Sequence, residues 1–419
     1  MNTAALSGIR VIEFGRFIAA PYCCQLLGDA GADVIKIEPL SGDDARRNGT
    51  RLSETEARQF LNKNRNKRSI ACNLKDASVK RAVLSLLNQA DVVVANFRPG
   101  QAARLGFGYD TLKRSNSRVI YVENSGFGNR GPLAGEAGMD MALQGYSGLA
   151  HVTEDGPRPL VDPVIDYTAA LLMAWGISTA LFHRERTGEG QRLDVSLLQA
   201  ALVLQNNHIN HIDSVDGRRL EFVERLKAAF GEGASWQDVI DYQSPGGPIQ
   251  TYYGFFRAAD GVFCLAPGSR ALQRKVLAVV GLRDPAVEEQ HYQPEDATAH
   301  AATMKAQFCA VIEQQPVAHW IEQFKESGVP VSQLNLKPQV LDDPQSWDNG
   351  YLSRIEHPQL GGMTVVSPPV QFSETPLTIR APSPALGQHS TDILIEAGLD
   401  KDEIDSLVTS GLVAGAPQS

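Results

Sequence analysis

Leu6–Glu38, LSGIRVIEFGRFIAAPYCCQLLGDAGADVIKIE, is the stretch whose reading decides the fold. Ile9–Phe14 reads as a short strand, and Ala19–Ala30 as a helix stopped by Gly31. Asp33–Ile37 reads as a second strand, ended by Glu38-Pro39. Two strands joined through a helix imply a crossover connection and hence parallel pairing. Outward from this unit the alternation continues. Arg68–Leu74, Ala90–Asn96 and Arg118–Glu123 are further strands, and Lys75–Gln89 is a helix with Val79, Val83, Leu86 and Leu87 on one face. The expected class is α/β, built on a parallel sheet from βαβ units. Parallel sheets bind ligands beyond the carboxyl ends of their strands. The segments to watch are therefore Gly15–Pro21, Asn96–Gly100 and Ser125–Gly128.

Farther along, Pro163–Arg186 is one long helix signal closed by Thr187-Gly188-Glu189-Gly190. Gln191–Gln205 continues as strand or helix, and Asn206–Gly247 is polar and irregular. Thr251–Pro267 resembles a hairpin with Ala259-Asp260-Gly261 as its turn, and helices follow to Ser327. Pro368–Pro384 is expected to be extended, and Ser390–Leu412 to form two short helices with Ser390 as N-cap. The composition shift divides the chain into residues 1–205 (large domain, first part), 206–330 (small domain with linkers) and 331–419 (a return segment completing the large domain).

The 419 residues carry 39 basic and 48 acidic side chains, a formal charge of -9. Such a balance gives no global field for nucleic acid or anionic membrane, so neither is an expected partner. Apolar residues at 43% supply a real core. The five cysteines, with no CxxC pair, predict a reduced chain without a disulfide framework. Met1–Arg10 has no apolar signal core, and Tyr167–Phe182 falls short of the ~18–20 residues that span a bilayer. A cytoplasmic protein with a deeply buried core helix is the expectation. The histidines show no metal-binding spacing, so no metal site is assigned.

Gly126–Gly131 matches GxGxxG but follows a late strand and runs into Pro132, which reads as a glycine-rich loop rather than a dinucleotide fingerprint. Asp166 lies near the start of the long apolar helix, with Pro163 suited to its first turn. A carboxylate there either complements the helix dipole or, where the core meets a cleft, serves as a nucleophile. Asp140 is a second candidate, with a helix N-cap as the equally good reading. Arg16, Lys36, Arg46, Arg47, Lys67, Arg68, Lys75, Arg98 and Arg104 fall within the first 104 residues and suggest a polyanionic small ligand. Arg16 and Arg98 stand in strand-end loops.

The blocks Leu6–Phe14, Ala20-Pro21, Leu27–Glu38, Asn66–Ile70, Asn96–Gly100, Ser125–Gly128, Gln144–Gly148, Arg186–Gln191 and Gly387–Thr391 resemble, in order and spacing, the class III CoA-transferases, the CaiB/BaiF family. The resemblance spans nearly the whole chain. It implies a Rossmann-like parallel-sheet large domain plus a small α+β domain, joined into an open ring that interlocks with a second copy as a homodimer. It implies coenzyme A or acyl-CoA as substrate rather than a permanently bound cofactor, with an acyl-CoA donor and a carboxylic acid acceptor. The family's catalytic aspartate falls on Asp166. The CoA contacts map to Arg16, Phe17, Ile18, Ala19, Cys72, Lys75, Asn96, Phe97, Arg98, Arg104 and Leu105. Met139, Asp140, Gly246 and Gly247 are the substrate-side candidates, with Gly246-Gly247 a short version of a glycine lid.

The implied mechanism passes CoA through aspartyl anhydride and aspartyl-CoA thioester intermediates. The family's other chemistry, epimerisation of 2-methylacyl-CoA, needs two acid/base groups. Met139 replaces the histidine of that branch and favours the transferase, although Tyr252–Gly261 has a racemase-like look. A CoA-ester-binding protein without catalysis is the third reading, separated from the others by Asp166→Ala. Arg46 or Arg47 is a candidate for a second substrate carboxylate. Tyr252, Tyr253, Phe255 and Phe256 either make room for an acyl chain or pack the small domain's sheet. Ala137 and Met139 hint at an acceptor less polar than oxalate.

Overall fold

In the computed structural model, residues 4–415 are described, except 54, 99, 154, 215, 218–220, 222, 225–226, 229–234, 237–250 and 293. The chain forms two compact units, one of residues 1–151, 157–216 and 345–419, the other of 152–156 and 217–344. Their cuts fall at 216/217 and 344/345, against the expected 205/206 and 330/331.

The first unit is built on a six-stranded sheet. Its strands are β1 (Arg10–Glu13), β2 (Asp33–Glu38), β3 (Lys67–Ala71), β4 (Val92–Ala95), β5 (Ile120–Ser125) and an edge strand (Arg192–Ser196), here β6. In space the order is β3-β2-β1-β4-β5-β6, and every neighbouring pair is parallel. The order reverses between β1 and β4, which makes the crevice beyond their carboxyl ends the topological switch point. The central strands read as unbroken apolar runs such as Val92-Val93-Val94-Ala95, all buried, because both faces are covered.

Helix α1 (Ala19–Asp29) packs on one face. The same face carries α2 (Asp140–Ser147), α3 (Val164–Thr187) and α4 (Leu197–Leu204). Residues 191–205 thus supply both a strand and a helix. The opposite face takes the helices Ala77–Asn88, Ser390–Glu396 and Lys401–Thr409, through Val79, Val83, Leu86, Ile393, Leu394, Ile404 and Leu407. Ser390 is the first helical residue rather than the N-cap, and its hydroxyl donates to the Gly387 carbonyl at 2.8 Å.

Helix α3 corrects an expectation. It was expected to be buried on nearly every face, yet it buries only the apolar stripe Ile165, Ala169, Ala170, Met173, Ile177, Ala180 and Leu181, with Arg184 near its end. On the other side Trp175 is 70% and Phe182 65% exposed. The helix is long and apolar enough to cross a membrane by length and composition, but its buried stripe is committed to the sheet's core. It ends at Gly188, whose φ of 79° is the left-handed cap that glycine adopts without a Cβ penalty.

The second unit holds an antiparallel sheet of Gly254–Arg257, Val262–Leu265 and Val331–Gln333. The first two form the expected hairpin. Helices Arg270–Val280, Ala297–Ile312 and Val317–Glu326 cover it. Tyr252 and Phe256 are core residues here, whereas Tyr253 and Phe255 are exposed, so the aromatic cluster divides between two roles.

Candidate active site

The loop after β1 meets the end of β4 at the switch point. The Asn96 side chain accepts from the Arg16 N–H at 3.0 Å and donates to the Arg16 carbonyl at 2.9 Å, which pins the two loops together. Phe97 packs on Phe14 with ring centroids 5.2 Å apart. Phe17 sits at φ 63°, a left-handed conformation that is strained for a bulky residue. Asp43 holds it there by accepting its N–H at 3.2 Å. Helix α1 starts directly afterwards, so its unpaired first N–H groups face the crevice, an arrangement suited to an anion.

A buried ion network lies under this loop. Lys36 pairs with Glu13 at 2.8 Å and Asp43 at 3.0 Å, and donates to the Gly15 carbonyl at 2.7 Å. Lys67 pairs with Glu13 at 2.7 Å. Arg46 lies between Glu38 at 2.8 Å and Glu56 at 2.7 Å, its guanidinium 3.6 Å from the centre of the Phe60 ring. These side chains are all but excluded from solvent. Burial pushes the Glu56 carboxyl up to about 7, against the pull of Arg46. The network fixes the backbone around Gly15–Phe17 through the Lys36 bond to the Gly15 carbonyl and the Asp43 bond to the Phe17 N–H.

Asp166 lies in the first turn of α3. Pro163 is the residue before the helix rather than inside it, and contributes no side-chain cap. The cap comes from Asp140 at the start of α2. One Asp140 oxygen accepts the N–H groups of Ile165 at 2.8 Å and Asp166 at 3.0 Å. Its other oxygen accepts from Gln144 at 2.6 Å, and Gln144 in turn accepts the Leu160 N–H at 2.7 Å. Asp140 is thus an N-cap, but of another helix than the one it opens. Burial, and then the Asp140 carboxylate, push Asp166 up to about 7, with Lys63 acting in the opposite direction. A carboxylate poised near neutrality is more basic, and hence a stronger nucleophile, than an ordinary one. The Ser125–Gly128 loop is placed by close backbone packing. A Cβ on Gly126 would lie 2.6 Å from the Gly138 Cα, so glycine alone permits this approach.

The sequence profile of CoA-transferase family III matches residues 6–390. This chain belongs to CoA-transferase family III. It is 30% identical to human succinyl-CoA:glutarate CoA-transferase over 98% of this chain and 90% of that protein. It is 32% identical to the succinate–glutarate CoA-transferase of Agrobacterium fabrum over 93% and 95% of the two chains. Its fold is similar to the crystal structure of a CaiB/BaiF family protein from Brucella suis, with a TM-score of 0.73, 28% identity and coverage of 95% and 100%.

In this family III CoA-transferase the sequence-derived residues separate into groups. Arg16, Phe17, Ile18, Ala19, Asn96 and Phe97 converge at the switch point through the bonds above. Arg98 and Arg104 are exposed just beyond, Leu105 is half-buried against the core, and Lys75 is exposed after β3. Cys72 is buried, its thiol raised to about 12 by desolvation, and it bridges to Val413 in antiparallel fashion. Met139 is 56% exposed beside Asp140. Gly246 and Gly247 lie outside the described residues.

The basic set needs correction. Lys36, Arg46 and Lys67 are buried partners of carboxylates and present nothing to a ligand. Arg68 pairs with Asp33 and Glu396 at 2.6 Å each. Arg46 is therefore excluded as a reader of a substrate carboxylate, and Arg47 is engaged by the Ser41 carbonyl and Asp44. Lys63, absent from the sequence-derived set, acts on Asp166 instead. Its signal was its place in the run Asn62–Arg68, but one-dimensional spacing does not say which of four cations there has no carboxylate beside it among the described residues. A cavity of about 840 Å³ opens elsewhere, lined by Asp33, Arg68, His357, Arg380 and His389 among others. It lies at the amino ends of β2 and β3 and includes neither Asp166 nor the switch-point loops.

Proposed function

We propose that Asp166 is the covalent nucleophile of a CoA transfer from an acyl-CoA donor to a carboxylic acid acceptor, with CoA held by the switch-point loops. The observation that carries this reading is the Asp166 carboxylate itself. It is fixed at a helix start by the Asp140 cap and held near pH 7 rather than deep in the carboxylate range.

The chemistry balances without an external energy source. The Asp166 carboxylate attacks the donor thioester carbonyl, the C–S bond breaks, and CoA leaves as thiolate from a mixed anhydride. The thiolate attacks the aspartyl carbonyl of that anhydride and expels the donor acid, which leaves an aspartyl-CoA thioester. The acceptor carboxylate attacks this thioester, again releasing thiolate. The thiolate then attacks the acceptor's acyl carbonyl and frees Asp166. Each attack places negative charge on an oxygen, which N–H donors must meet.

The loop contacts support Arg16, Phe17, Ile18, Ala19, Asn96, Phe97, Arg98 and Arg104 as the CoA side, with Lys75, Cys72 and Leu105 at its margin. An epimerase would need a second proton carrier beside Asp166. Met139 has no titrating group, and both Asp140 oxygens are engaged. The exposed apolar side of α3 supports a second copy of the chain as its cover, in the interlocked homodimer that the family resemblance implies. The test is mass spectrometry of the intact protein after incubation with acyl-CoA thioesters, with borohydride or hydroxylamine trapping. Modification confined to Asp166 supports the reading. Active enzyme with Asp166 unmodified, and deuterium entering the α-carbon of a 2-methylacyl-CoA, replaces it with epimerisation.

A further inference from the structure

Four cations stand in the run Asn62-Lys63-Asn64-Arg65-Asn66-Lys67-Arg68. Arg65 meets Asp29 at 2.7 Å, Lys67 meets Glu13 at 2.7 Å, and Arg68 meets Asp33 at 2.6 Å. Lys63 has no carboxylate within 4.0 Å among the described residues, although only 5% of it is exposed. Its ammonium makes one long hydrogen bond there, to the Gln59 carbonyl at 3.4 Å, and lies 5.7 Å from the centre of the Tyr167 ring. Tyr167 directly follows Asp166. An ammonium carries three donors, and a buried cation without a counter-ion is costly. Burial accordingly pulls the Lys63 ammonium down in pKa, and the opposing influence on it is the Asp166 carboxylate.

Asp140 is not the partner either, since it stands outside ion-pair distance of Lys63 and its oxygens hold the α3 N–H groups and Gln144. Among the described residues, the site therefore contains two carboxylates and a cation with donors left over. A monocarboxylic acid that reacts at Asp166 leaves those donors unmatched. An acid with a second carboxylate matches them, and the ammonium offsets the repulsion from Asp140 and Asp166.

We propose that Lys63 is a specificity-determining residue that binds the non-reacting carboxylate of the acid substrate, so that this CoA-transferase favours short dicarboxylic acids. The inference rests on the assignment of Asp166 as nucleophile. It moves the role once considered for Arg46 to a residue whose donors are open.

The test compares Lys63→Met and Lys63→Arg with the wild type, using one acyl-CoA donor. Acceptors are succinate and glutarate against butyrate and valerate, the monocarboxylic acids of equal chain length. The expected result is a loss of kcat/KM of about 100-fold on the dicarboxylates for Lys63→Met. Its rates on the monocarboxylates fall less, since Lys63 acts there only through Asp166, so the dicarboxylate-to-monocarboxylate ratio of kcat/KM drops at least about tenfold. Lys63→Arg keeps more of the dicarboxylate rate than Lys63→Met. An equal loss on both acid classes overturns the proposal, because Lys63 would then act on Asp166 or on folding alone. No loss on the dicarboxylates overturns it as well. If Lys63→Met fails to fold, the wild type decides, since a wild-type preference for butyrate over succinate is equally fatal. The donor-derived adduct on wild-type Asp166 is measured alongside. Its absence in active enzyme removes the nucleophile assignment, whereas its presence with the wrong acid preference removes only the role of Lys63.

Discussion

Asp140 binds the backbone of Asp166 and repels its side chain at once, and the two effects are separable by substitution. Asp140→Asn keeps a side-chain acceptor for the α3 cap but removes the charge. The carboxyl of Asp166 is then expected to titrate lower, so the acid limb of the activity profile moves to lower pH. Asp140→Ala also loses the cap, with a stability cost of about 1 kcal/mol measurable by chemical denaturation. Asp166→Asn is expected to remove covalent adduct and turnover, lowering kcat by at least about 10³-fold. In the wild type, activity should rise with pH through about 7 as Asp166 ionises. The sign for stability is the reverse. The folded pKa of Asp166 lies above its ordinary 3.8, so the fold binds an extra proton between about 4 and 7 and loses stability across that window as pH rises. Asp166→Asn should therefore be stabilising relative to wild type at pH 8, by about 1–2 kcal/mol, and near neutral at pH 4, as read from Tm. Asp166 stood out in the sequence because Pro163 and an apolar run marked a helix start. The capping role of Asp140 did not, because its bond spans 25 residues between two helices that only packing brings together.

Strands and helices in the first third were largely legible, because apolar runs of strand length alternate with helical spacing, and both signals are local. The loop between β1 and α1 was legible as a ligand segment, but not the way it is held. Phe17 adopts its strained φ through Asp43, and Asp43 is held by Lys36, on the neighbouring strand. Asp43→Ala should relax this loop and raise KM for the acyl-CoA several-fold more than it lowers kcat, a split that steady-state kinetics reads directly. Lys36→Met should cost more, about 3–5 kcal/mol of stability, because it leaves Asp43 buried without its cation and Glu13 with Lys67 alone. Equilibrium unfolding in urea checks that figure. The charge count had suggested that Lys36, Arg46 and Lys67 reach a ligand. A sequence shows that a residue is charged but not that three charges point inward to one another, since that depends on the parallel register of β1, β2 and β3.

At the scale of the molecule, α3 carries an apolar face that a single chain leaves open, with Leu171, Trp175 and Phe182 more than half exposed. If a second copy covers this face, Trp175→Glu should shift the protein from dimer toward monomer in sedimentation velocity and lower its Tm. A wild-type protein that sediments as a monomer at micromolar concentration would refute the cover. The sequence by itself determined the parallel α/β architecture, the family, the ends of the long helix and the candidacy of Asp166. All of these follow from short-range patterns of hydrophobicity, turn residues and motif spacing. Only the tertiary structure decided which cations face inward, which carboxylate caps α3 and which buried lysine has no carboxylate within 4.0 Å among the described residues. Charges choose partners by distance and burial, and residues as far apart as Glu13 and Lys67, or Asp140 and Asp166, become neighbours only once the sheet and its covering helices have formed.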